Sequence, residues 1–243
     1  MATQTVAHPA PEPEPPALAA FLSLNRKLPV GDQVYEALKK AIVTLQLMPG
    51  VSISENRICR SFGVSRTPVR AAIARLSEEG LIDVYPQQGS FVAPIRLAGI
   101  ADSQFVRKAL EVAILLEASR VWTPAMSAEA RAIIDSQAGS IPLGDDELFF
   151  AEDERFHHIF ARFADREGVW ETVMGAKDRL SRFVRLFGKP ERLPVVIEEH
   201  RSIVDALDRG DGPEAARRLE YHLDRIFNLL NELPDQYRPY LAD

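Results

Sequence analysis

The chain has 243 residues, 46% hydrophobic and 26% charged, with a formal net charge of −6 at pH 7, enough to bury cores in two modest domains. No apolar run approaches the ~20 residues of a membrane span, and the N-terminus lacks the basic segment and apolar stretch of a secretory signal, so no membrane association is expected. The single cysteine, Cys59, excludes an internal disulfide and fits a reducing cytoplasm, the expected location. The charge is unevenly spread. Residues 26–96 carry 10 Lys+Arg against 6 Asp+Glu, whereas residues 97–243 carry 19 against 27. The acidity thus lies in the second half, and the first keeps a mildly basic balance that a nucleic-acid contact can use.

Residues 1–30 open with the low-complexity run His8-Pro9-Ala10-Pro11-Glu12-Pro13-Glu14-Pro15-Pro16. Such a tract cannot bury enough apolar surface to fold, so a disordered tail is expected. From residue 32 to 45 the periodicity is helical, with Val34, Leu38, Ala41, Ile42 and Leu45 on one side and Pro49-Gly50 ending it. Ser54 then caps a short helix with Glu55 in its first turn and Ile58 and Phe62 facing inward.

Gly63 supplies a turn, Ser65 an N-cap, and Pro68 falls in the first turn of a third helix, where a missing N–H costs little. Val69, Ala72, Ile73 and Leu76 form its buried stripe, while Arg66, Thr67, Arg70 and Ala74 share another arc near the N-terminus. Two arginine forks, a hydroxyl and a small residue suit a DNA groove, where guanidinium groups match guanine edges or phosphates. An amphipathic helix with solvated arginines would share these residues; its neighbours discriminate. Residues 81–85 and 90–93 read as strands around the turn Pro86-Gln87-Gln88-Gly89. Helix, helix, turn, helix and hairpin make a winged helix-turn-helix, whose third helix enters the major groove.

Beyond residue 100 no strand-like alternation occurs. Six helices are expected, over roughly 100–122, 127–139, 144–164, 169–188, 193–208 and 213–232, as an antiparallel bundle. The fold class is therefore mainly α: a tail over 1–30, a winged helix-turn-helix over 31–96 and an all-α bundle over 97–235. Within the bundle, Asp153 and His157 lie four residues apart on one helix face. His200 and His222 each stand 11 residues from Asp211, where the last two helices turn, which sets them level about 16 Å from that turn. One carboxylate and three imidazoles are a plausible set for a divalent metal, Zn²⁺ first, with Ni, Mn or Fe as alternatives. Isolated histidines satisfied by ordinary hydrogen bonds explain the same residues equally well. His158, offset by about 100° from His157, is left out.

Pro49-Gly50, Ser54-Glu55, Gly63 to Arg70, Glu79-Gly80-Leu81 and Gly89-Ser90-Phe91-Val92 together resemble the winged-helix domain of the GntR family of bacterial transcription regulators. That resemblance implies contacts to double-stranded operator DNA by Ser65, Arg66, Thr67, Arg70 and Gly89. One position departs from it: Asn56 stands where relatives often carry a basic residue, which weakens a phosphate contact unless Arg57 substitutes. The segments around Asp153 to His157, Glu199-His200-Arg201 and Tyr221-His222-Leu223 resemble the FCD-type effector domain of the FadR-like branch. This implies a metal on Asp153, His157, His200 and His222, a small carboxylate effector, and Arg107 facing the pocket. A second departure is Asp165-Arg166-Glu167-Gly168 in place of the usual Gly-Asn. The function implied is that of a homodimeric, ligand-responsive regulator, a repressor rather than an enzyme. Two alternatives stay open on the residues: a metal-dependent hydrolase, for which Glu111, Glu117 and Glu154 read as ordinary helix-surface carboxylates, and an acyl-CoA-responsive regulator without metal.

Overall fold

The computed structural model describes residues 25, 27–188, 190–231 and 235–242; residues 1–24 of the expected tail lie outside them. The chain divides into two compact units at Pro94 and Ile95.

The first unit is built on α1 (Val30–Val43), α2 (Glu55–Phe62) and α3 (Arg66–Glu78). The α1 stripe, with Val34, Leu38, Ala41 and Ile42, packs on the α3 stripe of Val69, Ala72, Ile73 and Leu76. Ser54 caps α2, its hydroxyl accepting from the Arg57 N–H at 3.3 Å. Gly63 closes α2 at φ +64°, a conformation that costs a side chain energy, and so turns the chain into α3. The hairpin of β2 (Ile82–Tyr85) and β3 (Gly89–Val92) forms as expected. It gains a third strand: β1 (Ser52–Ile53) pairs antiparallel with β3, giving the order β1-β3-β2. Two residues are too few for alternation to show in sequence.

The second unit starts with β4 (Ile95–Arg96) and holds α4 (Leu97–Ser119), α5 (Pro124–Ser140), α6 (Asp146–Phe163), α7 (Glu167–Phe187), α8 (Leu193–Asp208), α9 (Gly212–Asp224) and α10 (Ile226–Asn231). Helix α4 packs against α6, α7 and α9; α5 against α6 and α8; and α8 against α9. The main core gathers Leu115, Ile134, Phe156, Phe160, Ile203 and Leu219 from these faces. Where the sequence suggested one helix over 213–232, the chain breaks at Arg225. Its N–H bonds the His222 carbonyl at 3.3 Å, an i−3 bond that tightens the last turn of α9. Ile226 then joins a separate cluster with Ile95, Ile100, Leu180, Phe183 and Phe187 instead of extending the Leu219–Leu223 stripe. A short strand β5 (Leu241–Ala242) pairs parallel with β4, and Tyr237 packs on that same cluster. At the departure between α6 and α7, Asp165 takes the left-handed conformation, φ 55°. No helix among the described residues is long and apolar enough to cross a membrane.

Candidate functional site

In the first unit, Ser65 stands at the N-cap of α3 with extended backbone, but its hydroxyl makes no capping bond. The expected cap is therefore positional, and the hydroxyl stays exposed with Arg66, Thr67, Arg70 and Ala74 on one outward face. Both arginines are held by the first turn of α2. Arg66 donates to the Asn56 carboxamide oxygen at 2.9 Å, and Arg70 pairs with Glu55 at 2.9 Å. Asn56 thus does something a basic residue there could not: it orients the Arg66 fork instead of opposing its charge. At the hairpin tip, Gln87, Gln88 and Gly89 are exposed. Gly89 sits at φ +113°, open to glycine alone at little cost, and nothing lies within 4 Å of where a Cβ would stand.

In the second unit, α6 brings Asp153 and His157, α8 brings His200 and α9 brings His222 to one place. One ligand atom from each lies within 4.8 Å of all the others. A tetrahedral cation with bonds of 2.0–2.2 Å sets its ligands about 3.3–3.6 Å apart, so the widest spacing would close by about 1 Å around it. His200 is fully buried and His157 is 2% exposed. The His200 ring stacks on Phe156 at 4.0 Å between centroids.

Each imidazole is anchored from behind. His200 Nδ1 is 2.9 Å from the Gln137 carboxamide oxygen, and His222 Nδ1 is 2.8 Å from Glu199 Oε2. His157 Nδ1 lies 2.6 Å from Glu111 Oε2. At that distance two lone pairs would repel, so a proton lies between them. With Nδ1 as donor in all three rings, the lone pairs sit on Nε2. The Nε2 atoms of His157 and His200 are buried with no hydrogen-bond partner, a costly arrangement unless something accepts those lone pairs. Orphaned imidazole nitrogens beside a carboxylate, each backed by an oxygen, fit a divalent metal ion of the zinc type.

The charges agree. Burial alone would raise the Asp153 carboxyl, but Lys177, at 3.5 Å, and the neighbouring His157, His200 and Arg107 hold it well below the ordinary carboxylate range. Burial pushes His157 down to about 4, against the pull of Glu111, and pushes His200 well below its ordinary value. Asp153, His157 and His200 are thus ready in the protonation states that a metal requires.

Beside this cluster opens a cavity of about 320 Å³ lined by Arg107, Asp153, Lys177 and His222. Arg107 is no solvated arginine: it is 9% exposed, its Nε donates to Glu111 at 2.6 Å, and its Nη2 is buried without a partner. Glu111, on the sequence alone an ordinary helix-surface carboxylate, is 4% exposed and bridges Arg107 to His157. Its buried position on α4, four residues from Arg107, corrects that reading. Gln137 and Lys177 were not anticipated either. A signal existed, since each interrupts an apolar stripe, Ala130-Ile133-Gln137 on α5 and Val173-Lys177-Leu180 on α7. His158, set aside by its angular offset, stacks on Trp170 at 5.1 Å, away from the cluster.

Comparison with known proteins assigns each unit to a family. Residues 30–92 match the family of bacterial regulatory proteins, gntR family, and residues 102–225 match the FCD domain. An uncharacterized HTH-type transcriptional regulator from an unstable DNA locus of Streptomyces ambofaciens is 40% identical over 196 residues, 80% of this chain and 82% of that protein. The HTH-type transcriptional repressor RspR of Escherichia coli K12 is 30% identical over 222 residues, 90% of this chain and 97% of that one. Among solved structures, E. coli McbR/YncC superposes with a TM-score of 0.73 at 21% identity, covering 85% of this chain and all of that one, a likeness of fold. The chain belongs to the GntR family of bacterial transcription regulators, carries an FCD domain, and is a regulator rather than an enzyme.

Proposed function

We propose that this regulator is a homodimeric repressor that binds operator DNA through residues 31–96 and senses a small carboxylate at a metal-containing pocket within residues 97–235. The observation that carries the sensing half is the Asp153/His157/His200/His222 cluster, with its anchored rings and orphaned Nε2 atoms, at the wall of a cationic cavity. A bound divalent ion, Zn²⁺ or else Ni, Mn or Fe, would supply positive charge and open coordination positions for a carboxylate. Arg107 and Lys177 would hold the other side of the same anion. The acyl-CoA reading without metal leaves the buried imidazoles unexplained.

On the DNA side, Arg66 and Arg70 read base edges or phosphates, Ser65 and Thr67 add hydroxyl contacts, and Gly89 lets the wing approach the backbone. A gel-shift titration against the upstream DNA, with and without metal and candidate acids, tests the whole reading. Loss of one bidentate base contact costs about 1–3 kcal/mol, so Arg66→Ala is expected to weaken specific binding roughly ten- to hundredfold. Asn56→Ala should cost less, since it only frees the fork. Equal binding of wild type and Arg66→Ala would remove Arg66 from the interface, and no specific binding under any condition would sink the repressor reading.

Dimerisation is supported by the solvent face of α4. Ala98, Ala101, Phe105, Val106, Ala109 and Ala113 lie exposed along it with Asp102 as the polar exception, and Phe105 is 72% exposed. A surface helix normally presents polar residues there, and a contiguous apolar strip marks an interface. A two-fold axis would set this strip against its own copy. Phe105→Glu is expected to shift the sedimentation profile from dimer to monomer while leaving helix content unchanged; a dimer that persists would place the interface elsewhere.

A further inference from the structure

The cavity beside the cluster has two chemically distinct parts. Its buried charged end is Arg107, Lys177, Asp153 and His222, and the rest of the wall is dominated by apolar side chains, among them Phe149, Leu180, Val184, Val196, Leu223 and Ile226. Leu180 and Phe149 are 1% and 3% exposed, so this wall is fixed by core packing. Outside the charged end the polar lining is Asp146, Ser181, Arg185, Arg192, Arg225 and Asn228, and apolar side chains outnumber it. The arginines among them are largely engaged: Arg185 with Glu147 at 2.7 Å, Arg192 Nη2 with Glu199 at 2.6 Å and Arg225 Nη1 with the Tyr221 hydroxyl at 3.1 Å, which leaves Arg192 Nη1 and Arg225 Nε as buried donors without a partner.

We infer that the effector is a carboxylate with an apolar body, a short-chain, branched or aromatic acid, and not a polyhydroxylated one. This rests on the carboxylate-at-metal reading above and narrows it. A sugar acid brings a hydroxyl on nearly every carbon, and each one buried against this wall without a partner costs roughly tenfold in affinity. A methylene in the same place gains about fourfold. At about 320 Å³, the cavity lies at the small end of ligand pockets, so the gain stops once a modest chain has filled it. Selection comes from the wall: the charged end accepts any carboxylate, and Val184, Val196 and Leu223 reject those that carry hydroxyl groups.

The test is calorimetric titration of the zinc-loaded full-length protein with acetate, butyrate, hexanoate and gluconate. Affinity is expected to rise about fourfold for each methylene, leaving hexanoate on the order of a hundredfold tighter than acetate and gluconate weaker than hexanoate. Val196→Thr, nearly isosteric, should erase several-fold of the hexanoate advantage and leave acetate unchanged, with Val184→Thr as an independent second site. A flat series, or gluconate binding tighter than hexanoate, overturns the apolar-body inference and leaves the carboxylate reading standing. If no acid binds the loaded protein, both fall together.

Discussion

Replacing His200 with Ala, or His222 with Ala, is expected to leave the purified protein with roughly a tenth or less of the divalent metal carried by the wild type. The four ligands come from three helices: α6 gives Asp153 and His157, α8 gives His200 and α9 gives His222. Disturbing a residue that merely orients a ligand typically weakens metal affinity 10- to 100-fold, and removing the ligand itself costs more. This gives the series an internal scale. Gln137→Ala frees the His200 ring from its 2.9 Å anchor, and Glu111→Gln disturbs the His157 contact at 2.6 Å. Both should retain metal with affinity lowered about 10- to 100-fold. His200→Ala also leaves a hole against Phe156, so misfolding could mimic metal loss. His222, half-buried at the edge of the cavity, provides the variant that keeps its core. Elemental analysis of the purified proteins, with chelator competition for affinity, reads the result. Unchanged metal in both alanine variants would refute the ligand assignment.

How much of this was legible in the sequence depends on whether the information is local. Gly63 through Arg70 is a contiguous run in which turn, cap and helix face follow from neighbouring residues, and the structure has α2, turn and α3 there. The histidine pair was legible for a different reason. The short connection at Asp211 makes α8 and α9 antiparallel neighbours, and an equal residue count on each side becomes equal height; their ring centroids are 4.7 Å apart. The anchoring oxygens were not legible. Gln137 reaches His200 across 63 residues, and nothing in the spacing of α5 says which helix it will face. Glu111 and Arg107 form an i,i+4 pair that on an exposed helix would be a routine surface ion pair; only the packing of α4 on α6 and α9 turns it inward. β1 and β5 are two residues each, so pairing partners create them, not propensity. Asn56 reverses the usual inference about a departure. Read alone it is a lost phosphate contact, and read with Arg66 at 2.9 Å it is a positioning group.

Metal-free protein is expected to lose stability as the pH falls from 6.5 toward 4, mainly because His157 cannot take up a proton where it sits. Burial pushes its pKa down to about 4 from an ordinary 6.5. Across that window the unfolded chain binds a proton that the folded chain refuses, so the unfolded state gains and stability declines on acidification. At 1.36 kcal/mol per unit, the span of about 2.5 units is worth about 3 kcal/mol. His200 is shifted in the same direction, again by burial first and then by His222, and adds to the slope. The remaining charges around the rings do not reverse this. Glu111 on α4 and Asp153 on α6 pull the histidine values up, Arg107 pushes them down, and Lys177 on α7 acts through its pairing with Asp153. Both carboxyls are held below their ordinary range. Their contribution is therefore intact across most of the window and fades only below about pH 5. Urea midpoints at pH 7.5, 6.5, 5.5 and 4.5 in the presence of chelator measure the slope, and His157→Gln, which cannot titrate, should reduce it by close to one proton. Loading the metal should steepen the same decline, because protons then compete with the cation for the imidazoles as well. A midpoint that stays level from pH 6.5 to 5 in the metal-free wild type would mean that the folded cluster accepts protons freely. The burial that keeps these rings neutral and ready for a cation would then have to be abandoned as the explanation.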